Sequence, residues 1–248
     1  MLRSSNIQVM TNTLLKASKI IRRDFNEIEK LQNSKAGTIS FVNSSLKNIE
    51  ECIIQELGKA RPEHELVVYD EESRFNKMQT LSDKNVFIIK PISGLQNFSK
   101  GISFFSLSLL LIQHNKSEAA VIYDPIKNEL FVTENGQGAF VNNSRMRISG
   151  NRNTQQAIIV LENEDILNVK KLKNFFEIYS SNIRIFSSNC LDLANLASGR
   201  VDCYICKDLI LQYEPGFLMV KESGGVIANK NNLEGINFLS SSFFLDTI

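Results

Sequence analysis

Residues 88 to 98 read Ile88-Ile89-Lys90-Pro91-Ile92-Ser93-Gly94-Leu95-Gln96-Asn97-Phe98. The stretch opens as a strand, since Asn85 to Lys90 is a short apolar run rich in branched residues. A proline and a glycine then end it in a turn. With a helix or turn beginning after Ser93, the backbone N–H groups of Gly94, Leu95 and Gln96 can face an anion.

Outward from this strand the pattern is that of an α+β first half. Leu14, Leu15, Ala17, Ser18, Ile20, Ile21, Phe25 and Ile28 recur at a helical period and predict a long amphipathic helix. Its polar face carries Lys16, Lys19, Arg22, Arg23 and Asp24, which reads as a solvated face. A second helix is expected from Ser44 or Ser45 to Gly58. Strands follow at Glu65 to Tyr69, Asn85 to Lys90, Ser103 to Gln113 and Ala119 to Tyr123. After the Asp124-Pro125 turn, Glu129 to Thr133 and Ala139 to Val141 form a hairpin around Gly136 and Gly138.

The later chain alternates strand and helix. Strands are expected at Ala157 to Leu161, Ile183 to Phe186, Val201 to Ile205 and Val226 to Ala228. Helices are expected at Ile166 to Phe176, Cys190 to Ala197 and Pro215 to Glu222, the last with Gly224-Gly225 beyond its end. That rhythm places helices on the faces of a sheet. We expect two halves, 1–150 and 151–248, packed as one unit, with the boundary in the asparagine-rich stretch Gly150 to Gln155.

Composition removes several classes. The 248 residues are 43 % hydrophobic and 22 % charged, ordinary for a globular chain. Lysine and arginine number 28 against 27 acids, so no overall field selects nucleic acid or membrane. Met1 to Met10 has no continuous apolar stretch, so no signal peptide is expected and a cytoplasmic location is. Cys203 and Cys206 are spaced as a Cys-x-x-Cys pair. On a strand, however, an odd separation points them to opposite faces. The two histidines, His64 and His114, sit beside no plausible nucleophile or second ligand.

A second stretch with the character of a site is Asp70-Glu71-Glu72-Ser73, consecutive acids directly after a strand. Together with Lys90 to Phe98 it resembles the inositol monophosphatase family. That family has Gly-Glu-Glu, then a strand ending in Asp-Pro-Ile-Asp-Gly-Thr, then Asn-Phe. Gly136-Gln137-Gly138-Ala139-Phe140 resembles its Gly-x-Gly-Ala-Phe hairpin. Leu191-Asp192-Leu193-Ala194 through Gly199-Arg200-Val201-Asp202 is similar to its Leu-Asp-Leu-Ala…Gly-Arg-x-Asp stretch, and Glu222-Ser223-Gly224-Gly225 to its Glu-Ala-Gly-Gly. The resemblance extends over almost the whole chain. It implies a layered αβαβα sandwich, often a homodimer, and magnesium-dependent hydrolysis of inositol phosphates. Some bacterial members also work with the transcription machinery, independently of hydrolysis.

The resemblance breaks at the chemistry. The family's four metal-binding acids correspond here to Glu71, Lys90, Ser93 and Gln212, and its water-positioning threonine to Leu95. Metal binding would be left to Glu71 with the main chain of Ile92. The family's Asp-x-Val-Thr-x-x-Asp appears as Gly37-Thr38-Ile39-Ser40-Phe41-Val42-Asn43, without either acid. Four negative charges become one negative and one positive, which sum to zero. An ammonium about 4 Å from a divalent ion repels it by several kcal/mol even at an effective dielectric of about 20. Magnesium also requires hard oxygen ligands in near-octahedral order.

Two roles for Lys90 stay open on sequence: a structural ammonium in an empty site, or an anion site with Gly94, Leu95 and Gln96. Three functions follow. The leading one is an inactive phosphatase fold acting as a binding or regulatory protein, with no cofactor. The second is a weak magnesium-dependent phosphatase using Glu71, Glu72, Asp208 or Glu214. The third is a metal-independent anion-binding module.

Overall fold

The fold is given by a computed structural model, which describes residues 4–31, 35–69, 85–151, 153–163, 172, 175, 177, 182–207, 215–229 and 236–245. Two long helices come first, α1 (Ser5–Leu31) and α2 (Lys35–Ala60). The seven-stranded first sheet runs in chain order: β1 (Glu65–Val68), β2 (Val86–Ser93), β3 (Ser106–Gln113), β4 (Lys116–Asp124), β5 (Glu129–Glu134), β6 (Gly138–Val141) and β7 (Ser144–Arg145). A short helix, α3 (Leu95–Ser99), follows β2. Only β1 and β2 are parallel; every later neighbour is antiparallel.

The second sheet has five strands in the order β11-β12-β10-β8-β9. They are β8 (Ile159–Leu161), β9 (Ile183–Arg184), β10 (Cys203–Cys206), β11 (Val226–Asn229) and β12 (Asn237–Ser240). Helices α4 (Asn189–Ala197) and α5 (Pro215–Glu222) lie between the strands in sequence, and α6 (Ser242–Leu245) closes the described chain. The parallel pairing of β8 with β9 and β10 follows from the crossovers between them.

Three apolar cores make the layers. On one face of the first sheet, α1 and α2 pack Met10, Leu14, Ile21, Ile49 and Ile53 against Phe87, Ile89, Leu109 and Leu111. On its other face, Leu193 and Leu196 of α4 and Leu218 and Met219 of α5 meet Ile88, Leu110 and Ile122. Those same helices touch Val160, Tyr204 and Leu239 of the second sheet, so α4 and α5 form the middle layer. Gly216 makes this layer thin: a Cβ there would stand 2.3 Å from Leu193 Cβ, so α5 closes directly onto α4. The far face of the second sheet is covered by Leu172, Phe175, Phe244 and Leu245. The order is helix, sheet, helix, sheet, helix, as the resemblance implied. Among the described residues no helix is long and apolar enough to cross a membrane.

Several expectations need correction, beginning with Asp24, expected on the solvated face of the first helix but only 2 % exposed. The second helix begins at Lys35, not at Ser44 or Ser45. Ser45 is no cap: it is buried and donates to Asp24 Oδ2 of α1 at 2.7 Å, while Ser44 back-bonds to Ser40 O at 3.0 Å. The third strand starts at Ser106 rather than Ser103. The helix expected at Ile166 to Phe176 lies largely outside the described residues. Strand β12 and helix α6 add two elements that the periodicity reading did not separate from loop.

Candidate functional site

Strand β2 carries the site into the core. All eight of its residues are buried, between β1 on one side and β3 on the other. Phe87 and Ile89 point to the helical layer, so by alternation Val86, Ile88 and Lys90 face the middle layer. Lys90 is only 8 % exposed, pairs across the sheet with Ser108, and holds its ammonium 4.5 Å from the centre of the Tyr69 ring. Tyr69 is brought there by its backbone N–H, which donates to Ile89 O at 2.8 Å.

After Lys90 the register with β3 breaks, at Pro91, which has no N–H to give the ladder. Ser93 is then built into the packing. It accepts the Ser188 hydroxyl on its carbonyl at 3.0 Å, and its own hydroxyl accepts the Cys190 N–H of α4 at 3.3 Å. Gly94 has φ +90, and a Cβ there would lie 2.8 Å from Phe104 O. No other residue fits that turn without displacing backbone.

Ile92 and Leu95 send their side chains into the outer core. Leu95 and Gln96 open α3, so their N–H groups belong to its unsatisfied first turn. Asn97 donates to Phe104 O at 2.8 Å and to Phe186 O at 2.7 Å, drawing two distant loops together. The Phe104 and Phe186 rings lie 4.9 Å apart, and Lys127 sits 6.0 Å over Phe104. Ile102, Ile126 and Ile185, on the same three loops, are exposed. Glu71 and Gln212, with Asp70, Glu72, Asp208 and Glu214, lie outside the described residues.

The remaining motifs act as clamps. Glu222 accepts Gly136 N–H and Gly138 N–H, one on each oxygen, both at 2.9 Å, and so ties α5 to the β5–β6 hairpin. Asp202 accepts the Ser149 hydroxyl at 2.5 Å and Ile158 N–H at 2.8 Å. Arg200 forms a two-pronged pair with Glu129, at 2.5 and 2.7 Å, which holds the Glu129 carboxyl below its usual range.

With this geometry the chain can be set beside known proteins. Its sequence matches the inositol monophosphatase family profile over residues 3–235. The chain belongs to that family. It is 31% identical over 231 residues to the inositol-1-monophosphatase of Rhizobium meliloti, covering 91% of this chain and 85% of the relative. It is 30% identical over 213 residues to the Nus factor SuhB of Buchnera aphidicola, covering 83% and 77%. The extragenic suppressor protein suhB from Bartonella henselae superposes with a TM-score of 0.78 at 29% identity, over 98% of this chain and 97% of that one.

The family is normally magnesium-dependent, and at the two described positions where the resemblance implies metal ligands, Lys90 and Ser93, the side chains do not fit that ion. Lys90 supplies a cation where an anion is needed, and the Ser93 hydroxyl already accepts a backbone N–H. Among the described residues no three His, Cys, Asp or Glu side chains converge as a metal site.

One residue of the family motif was missed as chemically distinctive. Asp192 of α4 is fully buried, and among the described residues neither carboxylate oxygen meets a hydrogen-bond partner. Burial pushes its carboxyl up to about 8. The signal available in sequence was an acid inside the otherwise apolar run Leu191 to Ala194. Cys203 and Cys206 behave as their spacing requires: one enters the outer core of the second sheet, the other the middle layer.

Proposed function

We propose that this chain is an inactive member of the inositol monophosphatase family that works as a binding or regulatory protein in the cytoplasm. The observation that carries the reading is the reuse of positions 90 and 93. Lys90 lies buried against Tyr69, and Ser93 fastens the start of α4 to the end of β2. A metal-assisted phosphatase needs cations there to lower the pKa of the attacking water and offset charge on the leaving oxygen. The test is an inositol-1-phosphate hydrolysis assay in millimolar magnesium beside the Glu71→Ala variant. No turnover above that variant is expected; turnover that Glu71→Ala abolishes would overturn the reading.

The relatives called Nus factor SuhB, among them that of Escherichia coli at 29% identity, support a partner in the transcription machinery. The binding unit we propose is a homodimer, formed through the loops around Phe104 and Phe186. Their exposed Ile102, Ile126 and Ile185 give such a contact its apolar centre. Sedimentation should report a dimer for the native chain and a monomer for Ile102→Asp. A native monomer would remove this part of the proposal.

A further inference from the structure

A lysine that is 8 % exposed inside a sheet is costly unless something replaces the water around its ammonium. Part of the replacement is the face of an aromatic ring, 4.5 Å away, whose negative centre attracts a cation. The placement is fixed from both sides. Tyr69 is held by its N–H bond to Ile89 O, and Lys90 by its pairing with Ser108. The strand beneath is fully buried, so the backbone that carries Lys90 is fixed, while Tyr69, just past the end of β1, is half-buried. Tyr69 is also the residue directly before Asp70-Glu71-Glu72 in the sequence. The ammonium therefore anchors the point from which that acidic stretch departs.

We propose that the Lys90 ammonium is a tethered cation. It stands in for a bound metal ion at the end of β2, fixing Tyr69 and the strand end with no ion added. This rests on the metal-free reading above and deepens it. A metal ion couples the shape of such a site to the ion's concentration. A cation on a side chain removes that coupling and leaves the fold, and any surface built on it, constant.

Unfolding temperatures of the full chain and three variants test this. Lys90→Met keeps the length and removes the charge; Lys90→Arg keeps a charge that also stacks on rings; Lys90→Ala leaves room for a small cation. We expect the native chain to be unmoved by magnesium or chelator and Lys90→Arg to unfold close to it. Lys90→Met should unfold about 5 °C lower. Lys90→Ala should fall further and recover part of the loss in methylammonium chloride but not in equal sodium chloride. A Lys90→Met protein as stable as the native chain would overturn the proposal. So would a folded Lys90→Ala protein that methylammonium does not restore, or a native chain that magnesium stabilises. If Lys90→Ala does not fold, the Met and Arg variants decide alone. Failure of the Lys90 variants without phosphatase turnover leaves the metal-free reading standing, whereas a native chain that magnesium stabilises removes both, so the two ideas fail distinguishably.

Discussion

The end of β2 and the β5–β6 hairpin both carry family motifs, yet they are held in different ways. At the strand end, residues 86 to 93 are all buried, and the serine and lysine there spend their polar groups on internal contacts. At the hairpin, one carboxylate on partly exposed Glu222 gathers two backbone N–H groups. The first region carries the stretch that resembles the family's strand-end motif, and in this chain it has the packing of a core. The second has only a structural task and keeps the acid and the glycines that the task needs. The difference teaches that a strand end can be filled by its own neighbours, Lys90 on Tyr69 and Ser93 on Cys190, rather than left hollow. If so, disturbing the strand end should cost more than disturbing the hairpin.

The largest effect is expected at Gly94. An alanine there needs φ near +90 and drives its Cβ against Phe104 O at 2.8 Å. We expect Gly94→Ala to lose about 3 kcal/mol in urea unfolding, with the midpoint lowered and the slope unchanged. A loss under about 1 kcal/mol would break the contrast, because a forgiving turn is not a core.

Next comes Asp192, where the effect depends on pH. The folded carboxyl stays protonated up to about 8, whereas the unfolded one ionises from the ordinary value of 3.8. The folded state therefore binds the proton more tightly, so this contribution is complete below that lower value. It is lost as pH rises toward 8 and is level above. Linkage bounds that loss at about 6 kcal/mol; with water reaching the acid as it ionises, about 2 kcal/mol is expected across the window. Asp192→Asn, which cannot ionise, should make the stability curve flatter and raise stability at pH 8 relative to the native chain. Parallel curves for the two proteins would remove the buried acid from the account.

How far the sequence reached depends on the range of the interaction. Strand alternation placed Cys203 and Cys206 on opposite faces, because the period of two is local to the strand. The glycine turn at Gly94 and the order of helices and strands were legible for the same reason. The partner of Lys90 was not: Tyr69 reaches it through pairing of β1 with β2, whose register no local pattern fixes. The start of α2 was misplaced because Ser45 looks like a cap until Asp24 of α1 is brought against it. Asp192 hid within an apolar run, since a helix packed on several sides has no polar stripe to mark an odd residue.

At the hairpin, Glu222→Ala should cost about 1.5 kcal/mol, since two N–H groups then turn to water rather than to a buried void. Glu222→Gln should fall between the two, having one acceptor oxygen in place of two. A cost above that of Gly94→Ala would reverse the comparison and make the hairpin the better-defined region.

The smallest effect belongs to Arg200 and Glu129, which form the best-shaped ion pair in the described chain, with two contacts at 2.5 and 2.7 Å. Shape alone does not make it strong. Arg200 keeps 38% of its side chain in solvent, so water and salt screen the attraction. We expect Arg200→Ala to lose about 0.5 to 1 kcal/mol in dilute buffer and less in high salt, partly through lost packing on Phe131, 5.7 Å away. Salt should narrow that difference while leaving the Gly94→Ala cost unchanged, because the latter is steric. If salt moved both alike, the strand end would owe its stability to charge, and its description as packed core would fail.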